Sequence, residues 1–334
     1  MKFTKTVVAV AVTGLFAVPM AASAETTLSG LAQIKYQGTD ADDDSGDLEL
    51  AAGDVRVAIN TQQAIVGGLT GYGNIQFNLD DLTGQGGTTF ATTEIDPQGD
   101  ETPTEITSKS TVASDNVYVG VKGDFGDIRL GEIPVAVEYG QLANDIFDVA
   151  DDIVDGISYT GTFGPVGLGV NYSLEDDSDV AGIGAKFSAA GVTFGVGYQV
   201  NDLSDNDSGS LAAGLSFAIA GFSIAGHYWV QEGADGEFTV DPDDNEEGDA
   251  QSLSVKVDYG IAGVNLGLTY SLLTTDITNL DEEAEESAIR LDAGYDLGGG
   301  MDISTRITSK DNDPIRDGVD SDLVEYRVQL TKNF

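Results

Sequence analysis

Apolar and polar residues alternate with a period of two through nearly the whole chain after residue 24. The closing stretch shows it most cleanly. From Leu323 to Phe334, Val324, Tyr326, Val328, Leu330 and Phe334 share one side, and Glu325, Arg327, Gln329, Thr331 and Asn333 share the other. Such alternation predicts strands with one apolar and one polar face. The template recurs at 28–37, 54–60, 75–79, 116–122 and 127–131, then at 156–163, 166–174, 180–188, 191–201, 210–218 and 221–231. It resumes at 251–259, 262–273, 286–296, 300–310 and 321–334, sixteen segments in all. Leu82 to Ala113 is polar without periodicity and reads as a loop.

The links between segments alternate in length. Gly164-Pro165, Ala220-Gly221 and Gly260-Ile261 are short, whereas Asp241 to Asp249 and Asp281 to Glu286 are longer and acidic. A secreted β-sandwich would also alternate along its strands. The regular short–long succession and the continuous polar face favour an up-and-down barrel. So does the placing of Tyr36, Tyr72, Tyr172, Tyr198, Tyr228, Tyr259, Tyr270 and Tyr295 at the ends of apolar faces. The expected fold is therefore all-β: a 16-stranded antiparallel transmembrane β-barrel with both termini on the short-turn side.

The amino-terminal residues read differently. Lys2 and Lys5 precede an apolar run, Val7 to Val18, and Ala22-Ser23-Ala24 has the small-residue pattern of a cleaved signal peptide. Residues 1–24 are expected to be removed, leaving 25–334 as the barrel. Losing those two lysines takes the net charge from −42 to −44. That charge argues against nucleic acid as a partner. With no cysteine and one histidine, disulfides and thiolate metal sites are excluded, and most nucleophile–histidine chemistry with them. No cofactor or metal is expected.

One stretch breaks the alternation. Gly131 to Asp155 is too long for a tight turn, and Ile133, Val135, Val137, Leu142, Ile146, Phe147 and Val149 are too apolar for a solvated tip. It also carries Glu132, Glu138, Asp145, Asp148, Asp151, Asp152 and Asp155. Such a segment is expected to pack inside the barrel and narrow its pore, with these carboxylates at the constriction. Strand parity sets bases facing it. Lys35, Arg56, Lys122, Arg129, Arg290, Arg306 and Arg327 form the expected basic pore wall, and Lys186, Lys256 and Lys310 share the polar face. A basic side chain on the lipid face would cost roughly 2–4 kcal/mol near the midplane. The plainer alternative is that each base pairs with a neighbouring carboxylate such as Asp54, Asp127 or Glu325.

With the opening strand Leu28-Ser29-Gly30, the strand Gly126-Asp-Ile-Arg-Leu-Gly131 leading into a long third loop, and the terminal Phe334, the chain resembles the general porins of Gram-negative bacteria. The resemblance runs the length of the mature chain. It implies homotrimeric sixteen-stranded barrels in the outer membrane, in contact with lipid and lipopolysaccharide. The third loop would form an eyelet that passes small hydrophilic solutes and ions. It also places Arg56 at the position of a family eyelet arginine. Leu31, Asn116 and Thr160 stand where the family often has bases, and the loop lacks the frequent Pro-Glu-Phe-Gly segment. The missing bases weaken the anion-attracting half of the eyelet and favour cations.

Other features carry less. Asp40, Asp42 and Asp44 suggest a calcium loop but lack its glycine at the sixth position and glutamate at the twelfth. His227 is the sole acid–base candidate, on the polar face with Ser223 and Trp229. Without a placed nucleophile and orienting group it reads as lumen-lining rather than catalytic. The alternatives kept open are a substrate-selective channel, a structural or adhesive barrel plugged by its own loop, and an enzyme dependent on His227.

Overall fold

Strand-forming alternation on this scale yields one continuous sheet. The computed structural model describes residues 24–41, 44–45, 49–79, 90–95, 101–106, 113–143, 146–147, 153–174, 180–200, 208–235, 247–277, 282–313 and 321–334. Among them, sixteen strands build the barrel. The first five are β1 (Glu25–Ala41), β2 (Glu49–Ile65), β3 (Leu69–Asn78), β4 (Ala113–Gly123) and β5 (Gly126–Ile133). Then come β6 (Ile153–Phe163), β7 (Val166–Ser173), β8 (Ala181–Ala189), β9 (Val192–Val200), β10 (Gly209–Ile219) and β11 (Phe222–Asp235). The last are β12 (Glu247–Ile261), β13 (Val264–Ile277), β14 (Glu282–Gly298), β15 (Met301–Asp313) and β16 (Ser321–Asn333).

Each strand pairs antiparallel with the next, and β16 returns to β1 in the register Leu31↔Asn333 to Ala41↔Leu323. The closure is sealed by backbone bonds between Gly30 and Phe334, at 2.9 and 3.1 Å. The Phe334 ring lies over Gly30, where any side chain would overlap it. Closure removes the unpaired edges that an open sheet would present.

Parity assigns the faces. Ile183 (58% exposed), Phe194 (50%) and Leu291 (52%) point outward, whereas their polar neighbours turn inward and are largely covered. Short turns at 190–191, 220–221 and 262–263 are Ala-Gly pairs with both residues at positive φ, the type I′ geometry that follows strand twist. No described helix is long and apolar enough to cross a membrane, which says nothing of a barrel of strands.

Three expectations need correction. The stretch Leu82 to Ala113 contains a two-stranded hairpin, Phe90–Ile95 with Glu101–Ile106, separate from the barrel sheet. The acidic links at 241–249 and 281–286 are shorter than expected, because β12 begins at Glu247 and β14 at Glu282 and strand pairing continues through charged residues. Tyr72 is not on the apolar face. It shares the inward parity of Asn74 and Gln76, and its hydroxyl donates to Asp127.

The assignment of faces predicts an asymmetric cost for charge. Leu291→Arg should destabilise the barrel by roughly 2–4 kcal/mol in urea-dependent folding into lipid vesicles. Gln329→Arg, on the inward face, should cost far less. Equal costs would mean that the faces are misassigned.

Candidate functional site: the inner wall and its docked segment

The segment after β5 turns into the barrel and lies against the inward faces of β7 to β13. Ala136–Tyr139 forms one 3-10 turn, with Ala136 and Val137 buried. Its placement depends on glycines of inward parity. A side chain at Gly184 or Gly197 would overlap the Ala136 carbonyl, one at Gly195 the Tyr139 carbonyl, and one at Gly214 the Gly140 carbonyl. These strands offer bare backbone where a second chain must approach closely.

Polar side chains of the wall then satisfy the incoming backbone. Ala136 N–H donates to Asn171 Oδ1 at 2.6 Å, Ala143 N–H to His227 Nδ1 at 3.4 Å, and Ile146 N–H to Ser271 Oγ at 3.4 Å. The Tyr139 hydroxyl donates to the Leu168 carbonyl at 3.3 Å, and the Lys186 ammonium sits 5.1 Å from the Tyr139 ring centroid. Burial pushes the Tyr139 phenol above its ordinary value. Beneath the segment, Ile133, Val135, Val137, Ile153, Ala212, Trp229, Ala250 and Leu273 form an apolar cluster, with Phe147 and Val180 packed against it. His227 and Trp229 thus have the expected inward parity but do not line open lumen. Both are covered, Trp229 completely.

Of the expected acidic residues, Glu138 is half-buried and its charge acts on Lys186, and Glu132 is half-buried on β5. Asp155 is exposed, within the break in β5–β6 register between the Gly131↔Gly156 and Ile133↔Ile153 pairs. Asp145, Asp148, Asp151 and Asp152 lie outside the described residues. Asp42 and Asp43 of the calcium-like run do so as well. Among the described residues no group of three or more acidic or histidine side chains could hold a metal ion.

The basic residues divide into two kinds. Asp54 bridges Lys35 at 3.0 Å and Arg56 at 3.2 Å; Asp292 bridges Arg290 at 3.0 Å and Arg306 at 2.8 Å. Lys310 pairs with Glu325 at 3.2 Å and Lys256 with Asp258 at 3.1 Å. Pairing therefore prevails for these six. Lys122, Arg129 and Arg327 have no carboxylate in ion-pair contact among the described residues. Arg129 instead stacks 4.1 Å from the Tyr118 ring centroid, Lys122 lies 5.2 Å from that of Tyr72, and Arg327 faces Arg306 across the β15–β16 register. Asp127, expected as a partner for a base, accepts the Tyr72 hydroxyl.

The Gram-negative porin family matches residues 7–314. This chain belongs to that family. Its barrel is one of the outer membrane, with the short turns on the periplasmic side as bacterial barrels have them. A monosaccharide porin of a Halomonas species is 28% identical over 179 residues, 48% of this chain and 43% of that protein. The major outer membrane protein of Halomonas elongata matches with the same figures. The alignments thus span less than half the length of these curated relatives. Among solved structures, the trimer form of the Vibrio cholerae outer membrane protein OmpT superposes with a TM-score of 0.67 at 13% identity, covering 93% of this chain and all of that one. At that identity the likeness concerns the fold.

The glycine-bared wall leaves a signal in the sequence. Gly182 and Gly184, Gly195 and Gly197, and Gly214 keep one parity on adjacent strands, a pattern that marks close backbone approach.

Docking of the segment should respond to this wall. Asn171→Ala leaves the Ala136 N–H without its acceptor and should weaken docking by about 1–3 kcal/mol. Gly197→Val should prevent it by overlap. Both should speed hydrogen exchange at Ala136 and Val137 while leaving β14 to β16 unchanged. The raised Tyr139 phenol makes docking strongest below the ordinary tyrosine value and weaker as pH rises through the folded-state value. The alkaline loss should be absent from Tyr139→Phe in near-ultraviolet difference titration.

Proposed function

We propose that this chain forms a water-filled outer-membrane channel for passive diffusion of small hydrophilic solutes and ions, with a preference for cations. The observation that carries this reading is the docked segment, which brings backbone and carboxylates inside a barrel whose wall bases are largely paired. With Lys35, Arg56, Arg290 and Arg306 bridged by Asp54 and Asp292, two carboxylates offset about half of the four positive charges at short range. In this reading the acidic segment, with Glu132, Glu138, Asp145, Asp148, Asp151, Asp152 and Asp155, sets the field at the constriction, and a narrow acidic passage favours cations.

The mature protein is residues 25–334 after removal of residues 1–24, and it assembles as a homotrimer in contact with outer-membrane lipid and lipopolysaccharide. The trimer form of the superposed OmpT supports the assembly. Catalysis is not part of this reading, since the His227 ring accepts the Ala143 N–H instead of addressing a nucleophile. A second reading, passage of single sugars, is favoured by the name of the Halomonas monosaccharide porin.

In a planar bilayer under a KCl gradient, the purified protein should give stepwise conductance with a reversal potential toward potassium. Neutralising Asp145, Asp148, Asp151 and Asp152 should lower the potassium-to-chloride permeability ratio by about twofold per charge. Asp54→Asn, which releases Lys35 and Arg56, should shift it the same way. An anion-selective wild type would refute the acidic constriction, and an absence of conductance would favour a plugged structural barrel.

A further inference from the structure

Strand register sets two arginines face to face inside the barrel. Arg306 on β15 lies directly opposite Arg327 on β16, and the same row continues to Asp292 on β14 and Gln37 on β1. Like charges placed directly opposite destabilise a sheet, since their Cβ atoms stand only about 5 Å apart. Asp292 does not resolve the conflict. It accepts from Arg306 Nε at 2.8 Å and from Arg290 Nε at 3.0 Å, so its two oxygens are divided between two arginines. The Arg327 guanidinium has no hydrogen-bond or ion-pair partner among the described residues.

We propose that Arg306 and Arg327 together bind one doubly charged tetrahedral oxyanion, a phosphate or sulfate group. Arg306 meets Asp292 through Nε alone, so both of its terminal nitrogens stay available, as do those of Arg327. Each planar guanidinium presents paired N–H donors that match two oxygens of an anion. A tetrahedral oxyanion has four oxygens and serves two such forks at once, whereas a carboxylate has two and serves one. Chloride offers a fork no geometry to match. An anion held between the arginines also relieves the repulsion that the register imposes on them.

The surrounding charges favour an anion. Within two inward-facing positions of this row on β14, β15, β16 and β1, the bases Arg290, Arg306, Arg327 and Lys35 stand against the carboxylates Asp292 and Glu325. Lys35 and Glu325 are both engaged elsewhere, with Asp54 at 3.0 Å and Lys310 at 3.2 Å. That leaves three guanidiniums around the one carboxylate of Asp292. Gln37, opposite Arg327 on β1, adds a neutral amide to the row. The docked segment lies against other strands, and the Arg306 side chain remains 41% exposed, so an anion reaches the pair without rearrangement. Such partly solvated contacts are weak enough to permit release into the pore.

This site goes beyond the diffusion reading and rests on it only for access through the lumen. Phosphorus-31 NMR of inorganic phosphate with the full mature protein, in a phosphate-free detergent at pH 8 and constant ionic strength, tests it independently of conductance. Wild type should broaden the phosphate line saturably, and sulfate should displace it where acetate and chloride do not. Arg327→Gln should abolish the broadening. Arg327→Lys, which keeps the charge and loses the fork, should raise the half-saturating concentration about tenfold and serves if Arg327→Gln does not fold. Glucose 6-phosphate separates the two sources: broadening equal to that of inorganic phosphate assigns the site to phosphoryl groups carried on solutes, and none restricts it to the free ion. Equal broadening in wild type and both variants overturns the proposal, as does displacement by chloride as strong as by sulfate. A protein that conducts but broadens no phosphate line loses the site and keeps the pore. One that broadens the line without conducting keeps the site and loses the diffusion reading.

Discussion

Everything inside this barrel depends on how closely backbone can approach backbone. A chain segment that enters a sheet cylinder brings N–H and C=O groups that must find partners, since each one left unmet costs about 1–3 kcal/mol. The segment after β5 solves this by lying on strands whose inward positions are glycine or small. The Ala136, Tyr139 and Gly140 carbonyls occupy space that side chains at Gly184, Gly195, Gly197 and Gly214 would fill. Asn171, His227 and Ser271 reach from neighbouring positions to accept the segment's N–H groups. The apolar cluster around Trp229 and Ile133 then adds burial that an isolated sheet wall could not supply.

The electrostatics follow from that asymmetry. One side of the barrel carries the segment; the strands across from it, β14 to β16 with β1 and β2, carry arginines and lysines spaced so that one carboxylate serves two of them. Asp54 and Asp292 each bridge two bases from adjacent positions of the wall. Such bridges hold long side chains against the wall, which keeps the lumen open, and they mute the positive field. On β3 to β5 the solution differs: Lys122 and Arg129 are placed against tyrosine rings, so their charge is retained while their reach is limited.

Alternation by itself determined the barrel. The sixteen segments, their faces, the short and long links and the inward parity of the bases all rest on a period of two that persists from residue 28 to residue 334. Membrane physics leaves no other way to arrange it, because only closure satisfies every backbone group in lipid. The same reasoning marked Gly131 to Asp155 as an exception, since it broke the period while remaining apolar. Tyr72 shows where this reasoning weakens: residue type suggests the lipid face for an aromatic near a strand end, whereas its parity with Asn74 and Gln76 points inward.

Tertiary structure alone decided who meets whom across the lumen. That Asp127 would take the Tyr72 hydroxyl and leave Lys122 and Arg129 to ring faces depends on the stagger between β3, β4 and β5, including the register shift at Asn74 and Gln76. That His227 and Trp229 would be covered depends on where a segment more than eighty residues earlier comes to rest. A period of two assigns each residue to a face; shear between strands and the docking of a distant segment assign its neighbours, and those are set by closure of the whole cylinder.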